Sequence, residues 1–358
     1  IKIAKLLGDK TEKLQDISIE DLLARKPKDL DNAKIEEFIK DKKILITGAG
    51  GSIGSELVRQ CIKYKAKELI LVDNSEFNLY QITEEIKNFP IKPLMISVTD
   101  KELLEKCFKE HKPDIVIHAA AYKHVHLVES NIEPAIKNNI IGTKNCIDLA
   151  IKYKAEKFVL ISTDKAVRPT NVMGATKRVC ELYAQNAKSE NCEIVSVRFG
   201  NVLGSSGSVI PKFKKQIENN EPITVTHPEI TRYFMLIPEA CQLVLQAAAI
   251  AKENEIFILD MGKPVKIADL AKKMLKIYGK EHLKIEYVGL RPGEKLYEEL
   301  LINNSDKKTI YDSIFVAKPT PYDIEKLNKD IEELLRAKDK IAKLKEIVPE
   351  FNHNANQS

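Results

Sequence analysis

The sequence predicts an α/β protein, a doubly wound parallel sheet with a smaller α/β lobe over the carboxyl ends of its strands. Three observations carry this. Seven short apolar runs recur along the chain, helix-length segments separate them, and the first run ends in a glycine-rich turn leading into a helix. The runs are K-K-I-L-I-T ending at Thr47, E-L-I-L-V-D at Asp73, P-L-M-I-S at Ser97, D-I-V-I-H-A at Ala119, F-V-L-I-S at Ser162, I-V-S-V-R-F at Phe199 and E-I-F-I-L-D at Asp260. Each is short, β-branched and apolar on both faces, as strands covered by helices on both sides must be. Strand–helix alternation then requires right-handed crossovers.

Taken in order, residues 1–40 read as short polar helices and a linker, with helical patches at Ile19 to Ala24 and Ile35 to Ile39. Residues 41–200 with 235–260 hold the seven runs and form the expected nucleotide-binding domain. Residues 201–234 with 261–322 are rich in Pro, Gly and Asn and read as the smaller lobe. In residues 323–358 a charged amphipathic helix is expected from about Ile324 to Ile347, with Leu327, Ile331, Leu334, Leu335, Ile341 and Leu344 on its apolar face. The polar tail from Phe351 is expected to be disordered.

Composition excludes several classes. Of 358 residues, 44% are hydrophobic and 30% charged, enough for a sizeable core and unlike a disordered chain. No run of 18 apolar residues exists to span a membrane as a helix. The net charge is +5, with 57 basic and 52 acidic residues interleaved along the chain, which argues against a nucleic-acid partner. The six cysteines form no C-x-x-C pair, so neither a metal site nor a disulfide framework is expected. The chain begins at Ile1 rather than Met and reads as a fragment or a processed product.

The first strand ends in T-G-A-G-G-S-I-G. Gly48 permits the tight turn, Gly51 lets the backbone approach a pyrophosphate, and Gly54 lets the helix pack on the strand. Ser52 and Ile53 open that helix, whose N-terminus faces the phosphates. Asp73 closes the next strand, nineteen residues after Gly54, where a carboxylate accepts hydrogen bonds from an adenosine ribose. It would repel a 2′-phosphate, so the expected cofactor is NAD, bound by a Rossmann-type domain. Ser97 and Val98 follow the third strand and Ala119, Ala120 and Ala121 the fourth. Small residues there leave room for the cofactor's riboses, although plain packing accounts for the alanines nearly as well.

After the fifth strand come Ser162-Thr163-Asp164-Lys165, then Met173-Gly174-Ala175-Thr176-Lys177. Met173 and Lys177 are four apart and share a helix face. These motifs resemble the extended short-chain dehydrogenase/reductase superfamily, which places a Ser or Thr after the fifth strand and then Tyr-x-x-x-Lys. Met173 stands at the tyrosine position. S-T-D-K-A, A-A-A-Y-K-H-V, G-S-I-G-S-E and R-P-G-E-K-L together are similar to the UDP-N-acetylglucosamine 4,6-dehydratases. Met173 points to their large, membrane-anchored, retaining group. The resemblance covers roughly residues 19 to 320.

It implies that Lys177 binds the nicotinamide ribose and Thr163 the reacting sugar hydroxyl. Asp164 and Lys165 would supply the acid and base near C5 and C6. Asp164 serves as acid only if its pKa rises well above about 3.9, and Lys165 as base only if its pKa falls well below about 10.4. Burial pushes both that way and a close ion pair opposes both. A thioether cannot take the sugar 4-hydroxyl proton, which must leave through Thr163 and water, Asp164 or Lys165. Asn201, in R-F-G-N-V-L-G, matches a substrate pyrophosphate ligand. Arg232 and Arg291 suit phosphate oxygens, Glu294 the uridine ribose, and Lys123 and His124 the sugar. His126 stands where relatives usually have Pro.

The expected activity is NAD-dependent dehydration of UDP-N-acetylglucosamine to a 4-keto-6-deoxy sugar with C5 retained, feeding bacterial glycan or protein-glycosylation synthesis. The alternatives are a UDP-sugar 4-epimerase of the same fold, and a non-catalytic NAD-binding sensor supported only by Met173. A homodimer is expected, as the cytoplasmic domain of an inner-membrane protein whose anchoring segment is missing from this chain.

Overall fold

Seven strands of the central sheet grow from the seven apolar runs: β1 (Lys43–Thr47), β2 (Glu68–Asp73), β3 (Ile91–Met95), β4 (Ile115–His118), β5 (Lys157–Ile161), β6 (Glu193–Arg198) and β7 (Glu255–Leu259). The computed structural model describes residues 30–299 and 307–353, so the expected patch Ile19 to Ala24 lies outside the described residues. Two further strands, β8 (Lys307–Lys308) and β9 (Ile314–Val316), complete a nine-stranded sheet in the order β8-β9-β7-β6-β5-β4-β1-β2-β3. From β3 to β7 every pairing is parallel, while β9 runs antiparallel to β7 and β8. The order reverses between β1 and β4, which opens a crevice at the carboxyl ends of those strands.

Side-chain alternation divides the core into two layers. In β1, Leu45 packs on one face with the helices Lys101–His111, Gly142–Lys152 and Val172–Asn186. Its neighbours Ile44 and Ile46 pack on the other with Asn32–Ile39, Ser52–Lys63 and Ile237–Ile250. Ile70 and Val72 of β2 follow Leu45, and Leu69 and Leu71 follow Ile44. β3 departs from expectation. It begins two residues before Pro93, ends at Met95, and is partly exposed because it is the sheet edge, where a proline costs no ladder bond.

A third apolar cluster joins the helices Val209–Glu218 and Ile267–Ile277 to the paired short strands Ile223–Val225 and Ile285–Tyr287. A π-helical turn, Ile136–Ile141, sits between Ile132–Ala135 and Gly142–Lys152. Such turns are rare and frequent near functional sites. No helix among the described residues is long and apolar enough to cross a membrane.

The expected single C-terminal helix is two, Ile324–Arg336 and Lys340–Ile347. Asp339 accepts the Ala342 N–H and so starts a new helix, while Lys340 Nζ donates to the carbonyls of Leu334 and Leu335 at the end of the first. The tail also differs from expectation through His353. Phe351 is buried, the Asn352 N–H donates to the Pro169 carbonyl at 2.9 Å, and His353 Nε2 lies 2.7 Å from Glu129 Oε2.

Candidate active site

The turn after β1 is built on absent side chains. Gly48 has φ +64°, and a Cβ there would meet the Ala120 nitrogen at 2.8 Å. A Cβ on Gly54 would lie 1.9 Å from the Gly48 carbonyl oxygen, which no relaxation accommodates. Gly50, which sequence reasoning passed over, is as constrained, since its Cβ would fall 2.4 Å from the Asn78 backbone. The Gly50 N–H donates to Asp73 Oδ2 at 3.0 Å, and the Ser75 N–H to Oδ1 at 2.9 Å. The buried carboxylate is therefore held by backbone at the end of β2.

Four connected cavities run from this point. Asp73 and Val98 line the first, of about 190 Å³, with Gly48, Gly51, Ala120 and Ala121. The second, about 610 Å³, is walled by Gly48, Gly51, Ser52, Ile53 and Gly54 on one side and by Ala119, Lys123 and His124 on the other. The third, about 280 Å³, shares Ile53, Ala119, Lys123 and His124 and adds Thr163, Lys165, Met173, Lys177 and Asn201. Asn201, Gly207 and Ser208 lead into the fourth, about 220 Å³, which holds Lys212, Arg232, Arg291 and Glu294. Ser97 lines none of the four, and its hydroxyl pairs with Thr99. A larger cavity of about 1140 Å³ lies at the amino ends of β5 and β6, against Lys157 and Glu193, and contains none of the candidate residues.

The carboxyl end of β5 is clamped before it reaches the third cavity. Ser162 Oγ donates to Glu181 Oε1 at 2.7 Å. Glu181 accepts two bonds from Arg198, at 2.7 and 2.6 Å, and a third from Arg178 at 3.3 Å. Burial pushes the Glu181 carboxyl up, but the two guanidinium groups outweigh it and hold the group below the usual carboxylate range.

Beyond this clamp the chain turns in a short 3₁₀ helix, Asp164–Ala166. The turn directs Asp164 away from the cavity, and only its neighbours Thr163 and Lys165 line the wall. Asp164 is fully buried. Its Oδ1 accepts from Thr163 Oγ1 at 2.9 Å and from Lys165 Nζ at 2.9 Å. Its Oδ2 has no partner among the described residues and lies beneath Gly200, where an added Cβ would be 3.1 Å away. Lys165 Nζ also sits 3.4 Å from Asn201 Oδ1 and 3.4 Å from Glu298 Oε1. Burial opposes the ammonium, yet Asp164 and Glu298 together hold Lys165 above the ordinary lysine value. The lowering that a base role for Lys165 would need is therefore not met. The sequence reading weighed one carboxylate against burial, and the fold supplies two.

Met173 and Lys177 lie one turn apart on the helix Val172–Asn186, both buried and both facing the third cavity. Burial lowers Lys177. Asn139, at 0% exposure in the π-helical turn, ties this helix to the loop after β4. Its side chain accepts from the Tyr122 N–H, donates to the Tyr122 carbonyl, and donates to Thr176 Oγ1. His118, at the end of β4, bridges Thr47 Oγ1 at 2.7 Å and Thr143 Oγ1 at 3.0 Å. Burial, helped by Lys177, pushes it down to about 3, so it stays neutral beneath the site.

In the fourth cavity Arg232 is buried and directed toward Glu294 Oε1 at 3.3 Å, with Nε 3.9 Å from Glu298 Oε1. Glu294 also accepts the Arg291 N–H at 3.1 Å. Arg291 is exposed at the mouth. Lys212 adds a third cation to this wall, and burial, then Arg291, lowers its ammonium. His124, half buried against Gly207, is lowered by burial, then by Lys123 and His126. Sequence reasoning missed Gly50, Asn139, Lys212 and Glu298. Gly50 was legible in G-A-G-G, whereas nothing near Asn139, Lys212 or Glu298 announces any of them.

The sequence profile of a family described as "Polysaccharide biosynthesis protein" matches residues 44–319. The "Capsular polysaccharide biosynthesis protein CapD" of Staphylococcus aureus is 49% identical over 343 residues, which is 92% of this chain and 57% of that protein. A "UDP-N-acetylglucosamine 4,6-dehydratase (inverting)" of Campylobacter jejuni is 34% identical over 278 residues, covering 76% of this chain and 80% of that one. This chain thus spans a little over half the length of the first of these relatives. Among solved structures, Pen from Bacillus thuringiensis superposes with a TM-score of 0.74 at 37% identity, over 79% of this chain and 89% of that one. DesIV, a dTDP-glucose 4,6-dehydratase of Streptomyces venezuelae solved with NAD bound, shares the fold at a TM-score of 0.65 and 20% identity, over 72% and 87%.

Proposed function

The chain belongs to the polysaccharide biosynthesis protein family, and from that premise we propose that it carries out NAD-dependent 4,6-dehydration of UDP-N-acetylglucosamine. The observation that carries this reading is the Thr163–Asp164–Lys165 constellation at the end of β5. It adjoins a cavity that opens on one side to a glycine-walled dinucleotide cleft and on the other to a pocket with three cations. Kinship with nucleotide-sugar dehydratases and epimerases supports the substrate class.

The cleft suits NAD. Gly48, Gly50 and Gly54 let the turn close tightly on Ala120, Asn78 and its own first residue. Gly51 and Ser52 line the cleft at a helix N-terminus where a pyrophosphate would sit, and Asp73 lies where it would meet ribose hydroxyls. NAD held there would supply a reversible hydride acceptor, for the hydride of the sugar C4 and its return to C6. Lys212, Arg232, Arg291 and Asn201 would hold the substrate diphosphate, and Lys123 and His124 the sugar.

Thr163 Oγ1 already donates to Asp164 Oδ1. The proton of the sugar 4-hydroxyl therefore has a two-step route, to Thr163 Oγ1 as that hydroxyl hands its own proton to Asp164. This route needs nothing from Met173. As the C5–H bond breaks, its electron pair forms the C5–C6 double bond and expels the 6-hydroxyl. Lys165, held as an ammonium, gives that hydroxyl a proton so that it leaves as water, takes the C5 proton in the same exchange, and ends the elimination as it began. When C6 receives the hydride, the proton stored on Asp164 returns through Thr163 and Lys165 to C5. Atoms balance at the loss of one water.

We assign the chain to the membrane-anchored, retaining group because Met173 replaces the tyrosine, with anchoring through a segment outside this chain, a cytoplasmic catalytic part and a homodimeric state. Incubation with NAD and UDP-N-acetylglucosamine, followed by mass measurement, tests the reaction. The expected product is lighter than the substrate by one water. An unchanged mass with inverted C4 identifies an epimerase, and an unchanged substrate a non-catalytic binder.

A further inference from the structure

Glu298 has no place in the reading above, yet its carboxylate is among the most enclosed in the molecule. It is 7% exposed, and its Oε2 is buried without a hydrogen-bond partner among the described residues. Its Oε1 faces Lys165 Nζ at 3.4 Å and Arg232 Nε at 3.9 Å. One side chain thus joins the lysine of the third cavity to the arginine of the fourth. A buried, half-satisfied carboxylate costs stability unless nearby cations offset it, and Glu298 is offset by Lys165 and Arg232 from two different cavities, which points to a task there.

We propose that Glu298 is a positioning residue that fixes the Lys165 ammonium at the cavity wall and holds its proton until the sugar 6-hydroxyl takes it. This rests on the dehydration reading. Lys165 Nζ donates to Asp164 Oδ1 and Asn201 Oδ1 and forms an ion pair with Glu298 Oε1 at 3.4 Å. Asp164 belongs to the same turn as Lys165 and moves with it. Glu298 comes from a separate loop, so it fixes Nζ relative to the substrate pocket rather than relative to its own backbone. The charged groups facing Nζ are Asp164 and Glu298, which favour the ammonium, and Arg232, which opposes it. Lys123, His124 and Lys177 line the same cavity. Glu298 also neutralises part of the Arg232 charge, which would otherwise push the Lys165 proton away.

The sign follows. A proton donor must be protonated to work, so turnover falls as pH rises through the Lys165 pKa. An opposite charge within about 4–6 Å moves a pKa by about 1–3 units. Glu298→Gln keeps the shape and removes the charge, so the alkaline limb of the kcat profile should move down by about one unit or more. Glu298→Asp, which retains the charge, should bring the limb back toward the wild-type position. A second measurement needs no turnover: the pH dependence of Lys165 modification by an amine-reactive reagent, read by mass spectrometry, should show the same downward shift in Glu298→Gln. A limb and a labelling profile that coincide with wild type would overturn the inference, as would a gain of activity at neutral pH, which would mark Lys165 as a base waiting to lose its proton. Wild-type protein that removes no water from UDP-N-acetylglucosamine would instead remove the reading beneath it, while the labelling shift would still report on the Glu298–Lys165 pair.

Discussion

Asp164→Asn separates proton handling from everything else the site does. The carboxylate is fully buried, with Thr163 Oγ1 and Lys165 Nζ both on Oδ1 at 2.9 Å. An asparagine can keep both contacts through its carbonyl oxygen. Its amide nitrogen then occupies the Oδ2 position, where no partner exists among the described residues. An unsatisfied buried donor costs about 1–3 kcal/mol. For 358 residues at about 2.1 cal/mol/K each, that lowers Tm by only about 1–4 °C. The effect on turnover is far larger. The side chain can no longer store the 4-hydroxyl proton, and one group in acid–base catalysis is worth about a hundred- to ten-thousand-fold. Lys165 also loses one of its two counter-charges, so the alkaline limb of kcat should move down. Asp164 lines neither the dinucleotide cleft nor the cationic pocket, so the Kd for NAD and for UDP should stay close to wild type. The assay is product formation from neutral pH up past the wild-type alkaline limb, with calorimetric binding and thermal unfolding on the same preparation. Turnover within a few-fold of wild type would refute the proton route through Asp164. Lost nucleotide binding would show that the residue supports the whole site rather than its chemistry.

Gly54→Ala drives a Cβ to within 1.9 Å of the Gly48 oxygen, and NAD affinity should fall at least tenfold, read by calorimetry. Lys212→Ala removes one cation from the fourth cavity; the KM for the UDP-sugar should rise while kcat changes little, because Lys212 lies away from the reacting end. Glu181→Gln removes the buried counter-charge shared by Arg198 and Arg178, of which Arg178 keeps its pair with Glu350. Breaking such a cluster costs about 3–5 kcal/mol, or about 4–7 °C in Tm by the same entropy scaling, which differential scanning calorimetry would detect.

Local pattern carried the strands, because a strand covered on both faces must be a short apolar run and little else competes for that signature. It also carried the pairing of Met173 with Lys177, since a four-residue spacing on a helix fixes a shared face. It failed where one residue's direction depends on a turn. Asp164 and Lys165 are adjacent in sequence, but the 3₁₀ turn sends one under Gly200 and the other to the cavity. It failed again where partners are distant. Glu298 lies 133 residues beyond Lys165 (298 − 165), on a loop with no periodicity to place it. Asp164 and then Glu298 together outweigh burial, so Lys165 is raised and not lowered. The C-terminal break was weakly signalled, for Ala337-Lys338-Asp339 contains neither Gly nor Pro, and only the capping carboxylate of Asp339 ends the run. The tail contained its own clue in Phe351, an apolar side chain that finds a place in the core.

The central claim is that one hydride leaves C4 and returns to C6 within a single site while water departs. UDP-N-acetylglucosamine carrying deuterium at C4 tests it directly when the product is examined by mass spectrometry and NMR. The account predicts a product lighter by one water, with the deuterium in the C6 methyl group and NAD unchanged in amount. Deuterium released to solvent, or retained at C4 in a product that has lost no water, would contradict it.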